Sequence, residues 1–105
     1  MKIKGKTKMK IKEKFVIART YSAGVFFGLL TSKEGQEVTL KNARRLWYWA
    51  GAASLSQLAE EGTSNPSACK FPIPVSSITL LQAIELLDVS EKAKASIDSV
   101  PIWKA

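Results

Sequence analysis

Residues 15–42 decide the fold of this chain, and they read FVIARTYSAGVFFGLLTSKEGQEVTLKN. Three runs in this segment are rich in the β-branched and aromatic side chains that favour strands, at residues 15–21, 25–31 and 37–40. Small and polar residues separate the runs, and Gly35, in a predicted turn at residues 32–36, can adopt a positive φ. The segment therefore predicts a three-stranded antiparallel meander.

The next segment, residues 41–51, holds two of the three tryptophans and one of the two tyrosines, one residue after an arginine pair. A continued strand is favoured because three consecutive aromatic residues lower the helix propensity. Strand alternation places one set of side chains on one face, namely Arg45, Trp47 and Trp49. It places the other set on the opposite face, namely Arg44, Leu46 and Tyr48. A helix is the alternative interpretation, with an apolar stripe at residues 43, 46, 47 and 50.

A short helix and an extended segment are predicted after the aromatic stretch. Ser54 can cap a helix that Gly62 ends. A polar loop at residues 63–67 leads into residues 69–75, which are expected to be extended. The two prolines of that extended segment donate no ladder hydrogen bonds, so it is not expected to be a central strand.

The last part of the chain is predicted to hold one more strand region and one more helix. Residues 76–89 fit a helix or a strand with a bulge, and strand is favoured because apolar residues alternate near both ends. Ser90 can cap a helix over residues 91–98, which Pro101 prevents from extending. The apolar residues 102–103 are expected to dock the tail onto the body.

Together these patterns predict a mainly β, small α+β fold. The expected architecture is an antiparallel meander or sandwich, or a half-barrel, with one or two short helices. The domain is expected to span residues 15–105, after an arm at residues 1–14. A chain of 105 residues can bury a real core but has little area to spare, so a homo-oligomer is also expected.

The arm at residues 1–14 has Lys at every even position, from Lys2 to Lys14. Seven lysines against one glutamate give it a net charge of +6, which leaves +1 for the rest of the chain. In an extended strand all of these lysines would lie on one side. Such a strand can be a solvated edge whose lysines discourage edge-to-edge pairing. Alternatively, the arm contacts nucleic acid or an acidic partner.

The composition excludes several kinds of site. Cys69 is the only cysteine, and the chain has no histidine. An intramolecular disulfide, a Cys/His zinc site and the Ser-His or Cys-His nucleophile pairs are therefore excluded. We expect a non-enzymatic protein without a metal or a cofactor. No membrane segment is expected, because no apolar run reaches the roughly 18 residues of a span, and no signal peptide is recognised.

The arginine pair beside the aromatic triplet is the first candidate ligand site. Arg44 and Arg45 can hold phosphate through bidentate hydrogen bonds, while Trp47, Tyr48 and Trp49 can stack on a base. Nucleotides and nucleic acids present both of these groups. The alternative is that the tryptophans belong to the core, because large aromatic side chains dominate the cores of small domains.

Residues 19–24 form a second candidate site. Arg19 carries a positive charge, and Ser22 lies in a glycine-containing turn whose backbone N–H groups can bind an anion. Tyr21 can stack on a base. The pattern lacks the P-loop spacing, and a plain strand end is the alternative. Because alternation separates the two arginines of the first site, a pocket on one face is expected to be completed by residues 19–24 or by a neighbouring subunit.

Residues 16–25, 37–38 and 42–52, together with Gly28 and Gly35, resemble a family of small proteins encoded by tailed bacteriophages. The resemblance runs from about residue 15 to the C-terminus and leaves out the lysine-rich arm. It implies the cytoplasm of a bacterial host and an accessory role. Some small phage accessory proteins sequester the nucleotide messengers of anti-phage immunity. By analogy, the resemblance implies that this protein has the same role.

The leading hypothesis is therefore a protein that captures a small anionic, nucleotide-like ligand of the host. The first alternative is an inhibitor that binds nucleic acid or a host protein through the lysine-rich arm. A structural component of the virion is a third hypothesis.

Overall fold

The structure, a computed structural model, describes residues 11–105, and this part of the chain forms five strands and two α-helices. The strands are β1 Lys14–Thr20, β2 Val25–Glu34, β3 Glu37–Arg45, β4 Val75–Leu80 and β5 Ala83–Asp88. The helices are α1 Leu55–Glu61 and α2 Glu91–Asp98. The predicted mainly β fold and the meander of β1 to β3 are confirmed. Neither helix is long and apolar enough to cross a membrane.

The five strands form one antiparallel sheet in the order β4-β3-β2-β1-β5. The two edge strands are joined by Leu81 and Gln82 alone, so the Cα atoms of Leu80 and Ala83 are at most about 11 Å apart. A flat five-stranded sheet would hold its edges about 19 Å apart. The open sheet therefore curls, and the Ala83 N–H donates to the carbonyl of Gln36 at 3.0 Å across the corner.

The curl divides the apolar side chains between two cores. The inner core lies between the strands and includes Val16, Phe26 and Leu40. The outer core lies between the sheet and the helical segments and includes Ile17 and Phe27. Alternation along β1 and β2 therefore supplies both cores, which explains why these two strands are apolar at nearly every position.

The β2–β3 hairpin is tighter than the sequence predicts. The turn consists of residues 35–36 alone, because Ser32 and Lys33 remain paired with β3. Gly35 has a φ of 59°, the positive value that the turn requires. The predicted turn at residues 32–36 is thus too long, and β2 is longer than the predicted strand.

The prediction of a strand through the aromatic triplet is wrong beyond Arg45, where β3 ends. The Leu46 N–H donates to the carbonyl of Val25, and only Tyr48 makes a further isolated bridge, to Lys70. Without a continuing ladder, the two-residue alternation does not hold past residue 47. The aromatic triplet is instead an irregular segment that lies beside residues 69–71.

Both helix caps are confirmed. The Ser54 hydroxyl accepts from the Gln57 N–H at 3.2 Å, and the Ser90 hydroxyl accepts from the Ala93 N–H at 3.0 Å. Most of residues 76–89 lie in β4 and β5, so the choice of strand over helix is confirmed. The predicted single strand with a bulge is instead two strands at opposite edges of the sheet, joined by residues 81–82. The tail docks through its backbone, where Ile102 bridges to Phe71.

Candidate functional site

A groove of about 320 Å³ opens where the curl brings β4 toward the β1–β2 turn. It is lined by Thr20, Ser22 and Ala23 of the turn region, by Phe26, by Arg45, and by residues 78–82. We call it the Arg45 groove. Its parts come from four places in the chain, and the curl of the sheet is what assembles them.

Arg45 supplies the positive charge of this groove. Its guanidinium carbon lies 4.5 Å from the centroid of the Phe26 ring, within cation–π distance. One Nη1–H donates to the Ala23 carbonyl at 3.1 Å. Within residues 11–105 the guanidinium has no carboxylate partner and makes no other hydrogen bond. Its remaining N–H groups are therefore available to an anion, while the ring and the carbonyl fix its position.

The wall opposite β4 is held in place by its own hydrogen bonds. The Thr20 hydroxyl donates to the Gly24 carbonyl and accepts from the Ala23 N–H, both at 2.8 Å. The Tyr21 N–H donates to the Gln82 carbonyl at 2.9 Å, which fastens the turn to the corner between β4 and β5. The wall is therefore organised before any ligand enters, which lowers the cost of binding.

The rest of the lining is apolar with a few polar groups. Ile78 and Leu80 belong to the inner core, and their side chains reach the groove beside the Phe26 ring. Ser22 adds a hydroxyl group, which can donate or accept. The Thr79 hydroxyl instead lies 3.4 Å from that of Thr39, on the opposite face of the sheet. An apolar cleft with one cation and a hydroxyl group suits a small molecule with an apolar or planar part and one anionic group.

Arg44, predicted as a phosphate ligand, is a structural residue instead. Its side chain is 6% exposed, and its guanidinium donates to five backbone carbonyls at 2.9–3.2 Å. These carbonyls belong to Phe71, Pro72, Ile97, Val100 and Pro101. Burial lowers the pKa of Arg44, and the nearby carboxylate of Asp98 acts in the opposite direction. Its guanidinium is therefore occupied by the backbone, and Arg44 does not line the Arg45 groove.

The four predicted stacking residues do not line the Arg45 groove. Trp49 is half-buried against the outer core, while Trp47 is 64% exposed. Tyr48 is exposed beside Lys70, and Tyr21 is 75% exposed on the turn. The aromatic ring within reach of Arg45 is that of Phe26, so these four side chains do not share one pocket with Arg45.

Of the predicted site residues Arg19 and Ser22, only Ser22 lines the Arg45 groove. Arg19 forms an exposed ion pair with Glu85 at 2.8 Å and does not line the groove. Ser22 does line it, together with Arg45. Of residues 19–24, the groove beside Arg45 thus includes Thr20, Ser22 and Ala23 but not Arg19 or Tyr21.

Sequence reasoning missed the contribution of β4 and of the corner at residues 78–82. The pairing of β4 with β3 is long-range, and no local pattern placed it beside the β1–β2 turn. The signal in the sequence was the two-residue break between two alternating runs, which marks a corner. Of the lysine-rich arm, Lys2 to Lys10 lie outside the described residues. No cluster of three or more potential metal ligands occurs within residues 11–105.

The fold and the groove define a small β-rich domain with a candidate anion-binding site. Residues 13–97 match the family model described as a domain of unknown function, DUF6948, and the chain belongs to this family. All of the residues that line the groove lie within the matched segment. Comparisons with curated proteins and with solved structures found no match.

Proposed function

We propose that this protein captures, without catalysis, a small ligand that carries an anionic group, and that Arg45 holds this group. The observation that carries the proposal is the guanidinium of Arg45. It is fixed against the Phe26 ring and the Ala23 carbonyl, yet it faces no carboxylate within residues 11–105. A guanidinium with several N–H groups in a fixed plane matches phosphate and carboxylate oxygens well.

The size of the groove limits the ligand. About 320 Å³ is at the lower end of the roughly 300–1,000 Å³ found for small-molecule sites. A single nucleotide or a smaller phosphorylated molecule is therefore the favoured class, with its planar part over Ile78, Leu80 and the Phe26 ring. A larger ligand, such as a cyclic dinucleotide, would extend beyond this groove or be shared with a second subunit.

The biological role of ligand capture is inferred from the sequence resemblance to small phage proteins. On that basis we propose that the ligand is a nucleotide signal of host immunity and that capture withdraws it from its receptor. The groove supports anion capture, and the resemblance supports the setting. The two parts can therefore fail separately.

Calorimetry of the full chain tests the proposal. The panel consists of AMP, cyclic AMP, a cyclic dinucleotide, ADP-ribose and inorganic phosphate. We expect at least one organic phosphate to bind, and we expect Arg45→Ala to weaken it at least about tenfold, since hydrogen bonds to charged groups contribute about 1.5–3 kcal/mol. The matched control is Arg19→Ala, which removes an exposed arginine outside the groove and should leave binding unchanged.

Two results would count against the proposal. One is that no member of the panel binds; the other is that Arg45→Ala binds as tightly as the unmodified chain. A second variant, Ser22→Glu, places a negative charge in the groove lining without changing Arg45. Anion binding should fall in this variant too, and its thermal unfolding will show whether the fold is kept.

A further inference from the structure

A second cluster of aromatic and basic side chains lies away from the Arg45 groove. The Nζ atom of Lys70 is 5.9 Å from the ring centroid of Tyr48 and 5.5 Å from that of Trp103. Tyr48 is 51% exposed and Trp103 is 46% exposed, so both residues keep about half of their surface in solvent. We call Tyr48, Lys70 and Trp103 the aromatic platform.

Backbone hydrogen bonds hold the aromatic platform together. Tyr48 and Lys70 exchange two hydrogen bonds, of 3.3 Å and 2.7 Å, as an antiparallel bridge. The Trp103 N–H donates to the Phe71 carbonyl at 3.0 Å, next to the bridge between Phe71 and Ile102. Three segments that are far apart in sequence thus present their side chains from a fixed frame, so a ligand that stacks here need not order them.

The charge of the platform is positive. Lys70 lies between the two rings, Lys104 follows Trp103 in the chain, and no ion pair within residues 11–105 uses either lysine. A second copy of the chain is disfavoured as the occupant, because a two-fold interface centred here would bring each Lys70 toward the other. A neutral apolar partner would bury the ammonium without a counterion, which is costly.

We propose that the aromatic platform binds single-stranded nucleic acid. Bases offer flat faces to the two exposed rings, and the phosphates that follow them meet Lys70 and Lys104. This combination of stacking rings and backbone-tracking cations is what sequence-tolerant single-strand binding requires. The inference is independent of the Arg45 groove and of the lysine-rich arm, neither of which shares a residue with the platform.

Fluorescence anisotropy of a labelled (dT)12 oligonucleotide with the full chain tests this inference. We expect the single strand to bind more tightly than a duplex of the same length. Tyr48→Ala and Trp103→Ala should each weaken binding about fivefold or more, in line with the loss of one stacked base. Trp103→Phe should restore most of the affinity. Lys70→Gln should weaken binding and reduce the slope of log K against log salt by about one.

Two controls keep the test specific. Tyr21→Ala removes an exposed tyrosine outside the platform and should leave binding unchanged. A variant of the arm measures how much of the oligonucleotide binding the arm contributes independently of the platform. In this variant the following residues are all replaced by Gln: Lys2, Lys4, Lys6, Lys8 and Lys10. Absence of (dT)12 binding at low salt would overturn the inference. So would equal binding by all platform variants with loss only in the arm variant, or self-association that Trp103→Ala abolishes without any oligonucleotide binding.

Discussion

Two adjacent arginines in β3 lie in different environments: Arg44 is buried, and Arg45 lines an open groove. Arg44 points into the outer core, where backbone carbonyls surround its guanidinium, and Arg45 points toward the groove. Because they lie in β3, neighbouring side chains must face opposite sides of the sheet. The sequence could predict that the pair is split, but the buried member is decided by where residues 97–101 pack.

Replacing Arg44 by methionine should destabilise the fold strongly. The change removes the guanidinium donor from five carbonyl groups, of which those of Phe71 and Ile97 keep a backbone donor. Buried carbonyl groups that are left without a donor are costly. We expect the free energy of unfolding to fall by about 3 kcal/mol or more, as measured by urea denaturation. Arg19→Met is the matched control, and a change within about 1 kcal/mol is expected because its ion pair with Glu85 is exposed. Equal losses in the two variants would contradict the structural role of Arg44.

The starts of both helices could be predicted from the sequence, whereas the end of strand β3 could not. Ser54 and Ser90 were recognisable as caps, because each hydroxyl accepts from the N–H three residues later, and this is a local pattern. The end of β3 was not recognisable. The residues after Arg45 keep strand-like composition, and what ends the strand is that β2 begins at Val25 and offers no further partner.

Ser90 should contribute more to stability than Ser54, although both cap a helix. The Ser90 hydroxyl accepts from Ala93 and also donates to the Glu60 carbonyl at 2.7 Å, which joins the start of α2 to the end of α1. We expect Ser54→Ala to cost about 1 kcal/mol and Ser90→Ala about 1.5–2 kcal/mol in urea unfolding. A smaller loss for Ser90→Ala than for Ser54→Ala would mean that this second bond does not stabilise the helix pair.

The turn at Gly51 is expected to be less tolerant than the turn at Gly35. Both glycines have positive φ, 79° and 59° respectively, so both alanine variants carry the same kind of backbone strain, about 1–2 kcal/mol. A Cβ at Gly51 would lie 2.5 Å from the Asn65 nitrogen, whereas a Cβ at Gly35 meets nothing within 4 Å. Gly51→Ala should therefore lose at least twice as much unfolding free energy as Gly35→Ala. Similar losses would show that residues 63–65 do not pack against this turn.

For the molecule as a whole, the curl of the sheet is what turns a meander into a candidate binding site. The strand composition was visible in the sequence, but residues 76–89 were predicted as one strand with a bulge, not as two strands separated at residues 81–82. The pairing of β5 with β1 and of β4 with β3 was not visible either, because long-range pairings leave no local pattern. As a result, two of the predicted ligand residues, Ser22 and Arg45, line the groove, while Phe26, Ile78 and Leu80 line it without having been predicted.

Hydrogen exchange should reflect this arrangement. β1 and β2 each have a strand on both sides and a core on both faces, so their amides at residues 16–18 and 26–27 should exchange only through global unfolding. Amides on the outer edges of β4 and β5 should exchange faster. Slow exchange along the whole of both edge strands would indicate that another chain pairs with them.

The central claim is that Arg45 and the β1–β2 turn form one anion site, and an NMR titration of ¹⁵N-labelled full chain measures this directly. With AMP, and with pyrophosphate as the simpler anion, the Nε–H resonance of Arg45 and the amides of Ala23, Thr79 and Gln82 should shift together and saturate. The amides of the aromatic platform should stay in place. No shift at Arg45, or saturable shifts confined to another surface, would contradict the account.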